Sequence, residues 1–266
     1  GSGKLHLFGL QFGLGGGGFL LTHDGKRTLQ SWDGRETAPA AARGERFIGA
    51  DGKPLPFSQA VASGKAVGVP GLVAMLYAAH QQHGKLPWAA LAQPAIQLAE
   101  QGFAVSPRLY TLLVQETRLQ ADANARRYFF SEDGRPRPVG SLLRNPDYAD
   151  TLRRIARRGP AGFYQGPVAA DMVRAVQNHP TPGDLTLADL ASYRPKQRAP
   201  LCGPYRQWQV CGMGAPSSGG VCSNAVFTAE TIWFSGSVSA SRISLLEIVK
   251  LRGTPSDRLR PLTSIS

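Results

Sequence analysis

The apolar residues change their period twice along this chain, and that ordering restricts the fold more than any other feature. Gly18-Phe19-Leu20-Leu21-Thr22 and Arg27-Thr28-Leu29-Gln30-Ser31-Trp32 read as two short strands joined across Asp24-Gly25, a hairpin dipeptide. From Pro70 the spacing becomes helical, with Leu72, Val73, Leu76 and Tyr77 on one face and Gly84 closing the segment. Trp88 to Gln101 repeats the pattern with Leu91, Ile96 and Leu98, and Pro94 inside it predicts a break or kink. Ser106-Pro107 supplies an N-cap and a first-turn proline for a helix to about Arg118. Further helices are expected from about Asp147 to Arg158 and from about Pro167 to Gln177. Thr186 and Asp189 have capping-box spacing for a short helix to Tyr193. Gln197 to Cys202 and Trp208 to Met213 then read as strands around Gly203-Pro204-Tyr205. Strands, then helices, then strands describe an α+β or layered domain rather than alternating βα units.

The 266 residues suffice for a sizeable core, and the apolar share of 42% argues against wholesale disorder. Thirty Lys and Arg against 18 Asp and Glu give a net charge of +12. Only 18% of residues are charged, against about 25% in ordinary globular chains, so the excess reflects missing acids as much as added bases. No apolar run reaches the roughly 18 residues of a membrane span. Three cysteines are too few for a disulfide scaffold. Cys202 and Cys211 flank the Gly203-Pro204 turn, where an oxidising compartment could pair them; with Cys222 left over, they read as free thiols or packing residues. The chain starts Gly1-Ser2-Gly3-Lys4 with no signal-peptide pattern. It ends in a Ser- and Arg-rich stretch whose one apolar helical segment is Ile243 to Leu251. Both ends read as those of a fragment.

Each polar cluster has a bland and a functional reading. Gly13 to Gly18 contains the G-x-G-x-x-G spacing of a dinucleotide loop, but it leads into a strand-like run where that loop must open a helix. Close passage of two backbone segments is the better account, and no cofactor is expected. In Asp33-Gly34-Arg35-Glu36-Thr37-Ala38-Pro39, Arg35 follows a strand and can present a guanidinium fork to a carboxylate. Read without further context, Arg35 forms a surface ion pair with Asp33 or Glu36. His80 and His83 lack a third metal ligand, so no metal is expected. Arg153, Arg154, Arg157 and Arg158 form a solvated helix face rather than a nucleic-acid site. Ser217 and Ser218 in Pro216-Ser217-Ser218-Gly219-Gly220 do not form a nucleophile elbow.

Read in order, these segments resemble the large subunit of gamma-glutamyltransferases (glutathione hydrolases). The resemblance is carried by Gly15 to Phe19, Asp33 to Ala40, Val67-Gly68-Val69-Pro70-Gly71, His83 to Trp88, Pro94 to Ala99 and Gly102 to Ser106. Leu185 to Tyr193, Gly203 to Arg206 and Pro216 to Gly220 continue it. It covers about residues 14–220 and leaves residues 1–13 and 221–266 as unmatched ends, the second expected to be poorly ordered.

The resemblance implies the large-subunit part of an N-terminal-nucleophile hydrolase with an αββα core. Family members are made as a precursor that cleaves itself, and the new N-terminal Thr of the small subunit attacks a γ-glutamyl amide. The implied substrates are γ-glutamyl compounds such as glutathione, with no metal or organic cofactor and a periplasmic or secreted location. Arg35 matches the Arg that holds the substrate α-carboxylate. After Gly220 the threonines are Thr228, Thr231, Thr254 and Thr263, and none precedes His as in the family's Thr-Thr-His or Thr-Ser-His pattern. No catalytic residue is therefore assigned, the small subunit is expected to be absent, and this chain alone is expected to be inactive. A frameshifted or truncated reading frame would account for both ends. The competing readings are a basic module binding nucleic acid or an anionic surface, and a β-lactam acylase-type relative.

Overall fold

The computed structural model describes residues 5–7, 13–25, 28–205, 207–215, 217 and 249–252. Their strands are β1 (Leu5–Leu7), β2 (Gly18–His23), β3 (Leu29–Gly34), β4 (Phe103–Ala104), β5 (Leu142–Leu143), β6 (Lys196–Arg198), β7 (Leu201–Tyr205), β8 (Trp208–Gly212) and β9 (Val249–Arg252). Their α-helices are α1 (Phe57–Val61), α2 (Leu72–His83), α3 (Trp88–Gln101), α4 (Pro107–Gln115), α5 (Ala123–Phe129), α6 (Pro146–Arg158), α7 (Ala161–Tyr164), α8 (Gly166–Gln177) and α9 (Leu187–Ser192). The chain divides into two compact units. One comprises Gly1–Glu36, Pro70–Met75 and Arg194–Ser266; the other comprises Thr37–Val69 and Leu76–Tyr193.

The first unit is built on an antiparallel sheet in the order β1-β2-β3-β6. The expected hairpin is present, with Leu20 opposite Trp32 and Leu21 opposite Ser31. All four of these residues are buried, so both faces of the sheet are covered, which a sheet inside a layered fold requires. On one face Gly34 lies against Met75 of α2; a Cβ there would sit 2.5 Å from the Met75 Cβ. On the other, Leu21, Phe19 and Leu29 pack with Met213, and the Ser31 hydroxyl donates to the Met213 sulfur at 3.1 Å. Met213 directly follows β8, a strand of the second sheet β7-β8-β9. Helix, sheet and sheet thus succeed one another around β3, three of the layers of an αββα arrangement.

Two strand expectations and one helix expectation need correction. The stretch read as one strand from Gln197 to Cys202 is two, β6 and β7, in different sheets. Pro200 lies between them and has no N–H to carry a ladder onward. The hairpin closes between Tyr205 and Trp208, and Gly203-Pro204 lie inside β7. Val249–Arg252, read as the end of a helix, is a strand paired with β8; residues 243–248 lie outside the described residues.

The cysteine reading is also overturned. Cys202 and Cys211 are directly opposite in the β7–β8 register, with Cα atoms 4.1 Å apart, and form a disulfide. Direct opposition in the ladder puts the two side chains on the same face of the sheet, within reach of each other. Cys222 lies outside the described residues.

The second unit is the helical middle. α3 packs on α6, the Trp88 indole donates to the Ile155 carbonyl at 3.0 Å, and Arg153 pairs with Glu100 and Asp150. α3 runs through Pro94 unbroken, contrary to the expected interruption. Pro94 and Ala90 are exposed, so the carbonyl that the missing N–H leaves behind is on the solvent side of the helix, where the penalty for an unpaired group is small. Ile96 and Ala99 form the buried face of α3, whereas Leu91 and Leu98 are exposed. Ser106 and Asn145 cap α4 and α6, and Gly159, at φ 57°, ends α6 as its Gly-Pro signal predicts. Thr186 and Asp189 close the expected capping box on α9. Asp189 also accepts the Ala40 amide at 2.8 Å, tying the segment after Arg35 to a helix 149 residues away in sequence.

Candidate functional site around Arg35

Arg35 is the first residue after β3, where the chain leaves the sheet. Two glycines shape its surroundings. A Cβ at Gly17 would lie 2.6 Å from the Gly34 carbonyl oxygen, 2.7 Å from the Arg35 Cα and 2.8 Å from the Glu36 nitrogen. Only glycine fits, and the run read as a backbone crossing is one. Gly13 to Gly17 lead into β2 and not into a helix. Beside the crossing, the amides of Gly71 and Leu72, at the start of α2, both donate to the Gly16 carbonyl, at 2.9 and 3.2 Å. The glycine loop, the end of β3 and the start of α2 are thereby tied together within one unit.

The Arg35 side chain is 49% exposed, and its Nε lies 3.2 Å from Glu36 Oε2. Of the two acids that the bland reading offered Arg35, Glu36 is the ion-pair partner. Asp33 does something else. Its carboxylate is buried; Oδ1 accepts the Arg35 backbone N–H at 2.9 Å, and Oδ2 accepts Arg198 Nε at 2.7 Å. Arg198 stands opposite Ser31 on β6, which makes it the diagonal same-face neighbour of Asp33. A buried carboxylate with a guanidinium partner and a backbone donor keeps its charge compensated.

The remaining candidates do not join this cluster. His80 belongs to the helical unit, where Nε2 lies 2.8 Å from the Leu86 carbonyl oxygen and the ring meets Trp88 edge-on. Among the described residues no group of three His, Cys, Asp or Glu side chains gathers in metal-ligating fashion. Arg154, Arg157 and Arg158 are exposed on α6. Of Pro216 to Gly220 only Ser217 is described, its amide donating to the Gly214 carbonyl at 3.1 Å. The charge pair Asp33–Arg198 had no signature in the sequence, because the pairing of β3 with β6 joins residues 165 apart.

The helix–sheet–sheet layering and helical middle define the large-subunit part of an N-terminal-nucleophile hydrolase fold. The chain belongs to the gamma-glutamyltransferase family: the sequence model of gamma-glutamyltranspeptidase matches residues 10–251. Among curated relatives, it is 39% identical over 210 residues to glutathione hydrolase 2 of Arabidopsis thaliana, covering 78% of this chain and 35% of that protein. The chain therefore spans about a third of the length of that relative. Among solved structures it resembles the Helicobacter pylori gamma-glutamyltranspeptidase, with a TM-score of 0.73 at 36% identity, covering 78% of this chain and 59% of that one. The gamma-glutamyltranspeptidase of Pseudomonas nitroreducens gives a TM-score of 0.70 at 30% identity, with coverage of 84% and 67%. Among the described residues no helix is long and apolar enough to cross a membrane.

Proposed function

We propose that residues 14–220 supply the α-carboxylate-binding wall of a gamma-glutamyltransferase acting on γ-glutamyl compounds such as glutathione, with Arg35 as the carboxylate ligand. The observation that carries this reading is a half-exposed guanidinium held at a sheet end by a backbone crossing that admits only glycine. An arginine presents donors in a fork that matches a carboxylate's two oxygens. Glu36, beside Nε, orients the guanidinium.

In the reaction that the family resemblance implies, a threonine hydroxyl adds to the γ-glutamyl carbonyl and the amine leaves. The resulting ester is taken up by water or by an acceptor amine, with the threonine's own α-amine carrying the proton. Arg35 contributes binding and orientation only. No threonine among residues 221–266 has the His-flanked context of that nucleophile, so residues 1–266 alone bind without turning over. A periplasmic or secreted location fits the Cys202–Cys211 disulfide, which persists in an oxidising compartment.

Calorimetric titration of the 266-residue chain with glutathione tests the proposal. Arg35→Ala is expected to weaken binding roughly 10- to 100-fold, the range for losing charge-assisted hydrogen bonds. An unchanged affinity, or no binding by the unaltered chain, would overturn it.

A further inference from the structure

The buried pair behind Arg35 carries one more step. We infer that Arg198 is a positioning residue for ligand binding, acting through Asp33 on the Arg35 backbone; this rests on Arg35 being the carboxylate ligand. Asp33 bridges two groups with its two oxygens: the Arg35 N–H on Oδ1 and Arg198 Nε on Oδ2. It shares its sheet face with Phe19, its direct cross-strand partner, and with Leu21 and Met213. An ionised carboxylate in such surroundings is costly unless a charge partner holds it. Lys196 stands directly opposite Asp33 in the β3–β6 register, yet among the described residues the ion pair forms with the diagonal Arg198. The planar guanidinium reaches back along the sheet to Oδ2 while Oδ1 stays turned toward the chain exit.

Arg198 need not touch the ligand to matter. Without it, Asp33 is left as an uncompensated buried charge, which turns toward solvent. The Arg35 N–H then loses the acceptor that fixes the first residue beyond β3. The guanidinium then samples more orientations, and the carboxylate ligand must order it at a cost in affinity. With its side chain 45% exposed, Arg198 is not a core-filling residue, and its removal leaves the sheet packing in place.

A double-mutant cycle on the whole 266-residue chain, read by calorimetric titration with glutathione and by thermal melting, tests this. Arg198→Ala is expected to weaken binding roughly three- to tenfold, and Arg198→Lys to recover part of that loss by restoring a cation. In an Arg35→Ala background, Arg198→Ala is expected to have no further effect. Asp33→Ala, which removes the acceptor of the Arg35 N–H and the partner of Arg198 together, is expected to reproduce the Arg198→Ala loss, and Arg198→Ala is expected not to add to it. If Arg35→Ala weakens binding but Arg198→Ala does not, the positioning role is wrong and the Arg35 reading stands. If Arg35→Ala changes nothing, the Arg35 reading itself fails. An Arg198→Ala loss that persists in full in the Arg35→Ala background would mean that Arg198 acts through the fold in general, overturning the inference.

Discussion

Gly17 is the residue on which the Arg35 geometry is most exposed to a small change. A methyl group there would press on the Gly34 carbonyl and the Arg35 Cα at once. These are backbone atoms, which cannot swing away as the end of a side chain can. Gly17→Ala is therefore expected to cost about 1–3 kcal/mol, the range for overpacking, and to weaken glutathione binding as the Arg35 backbone shifts. Denaturant melts and titration of the same variant check both effects; an unaltered midpoint would show that the crossing is looser than described. Single residues were legible to different degrees. Arg35 by its local position read as a surface ion pair, and only the family resemblance marked it as a carboxylate ligand; the glycine run was legible because, without a following helix, it implies crowding. Asp33 was visible only as an acid near Arg35. Its true partner, Arg198, needs the β3–β6 pairing, which no local pattern encodes.

At the scale of elements, Asp189 links two segments far apart in sequence and makes the helical unit sensitive to acid. Burial pushes its carboxyl up, but hydrogen bonds from the Thr186 hydroxyl, the Ala40 amide and the Thr186 amide outweigh this and hold it below its ordinary value. A carboxyl with a lowered folded-state value contributes stability above its unfolded value, about pH 4, and loses it as pH falls through the folded value. Asp189→Ala is expected to destabilise by about 1–2 kcal/mol near neutrality, as for a lost helix cap. The difference from the unaltered chain should shrink as the pH is lowered; a difference independent of pH would contradict the assignment. In the first unit, the β7–β8 disulfide closes a short loop, with its cysteines nine residues apart. Replacing Cys202 and Cys211 by Ser is expected to cost about 2–3 kcal/mol on the loop-closure account, read as a lower denaturant midpoint under oxidising conditions. The double variant should match the unaltered chain once both are reduced. Elements were legible where caps and period agreed, as for α4, α6 and α9. The continuity of α3 was missed because solvent exposure of one carbonyl relieves the proline penalty. The short helices α1, α5 and α7 were missed because five, seven and four residues are too few to establish a period.

At the scale of the molecule, the strand–helix–strand ordering predicted the α+β class, and the layers around β3 follow from it once both sheet faces are seen to be buried. The split of residues 197–202 between two sheets was not legible, because a proline between two strand-like runs marks a break without saying where each half pairs. The proposed role of residues 1–266, binding without a nucleophile, is tested by turnover. Incubation with a γ-glutamyl anilide is accordingly expected to release no aniline above the buffer rate, and turnover by the purified chain would contradict this.

The most direct measurement of the central claim compares two ligands on the unaltered 266-residue chain. One is a γ-glutamyl compound with its α-carboxylate free, and the other is the same compound with that group converted to a primary carboxamide. If Arg35 reads the carboxylate, the free acid binds at least about tenfold more tightly, and the preference disappears in Arg35→Ala. Equal affinity for the two ligands would contradict the assignment of this site.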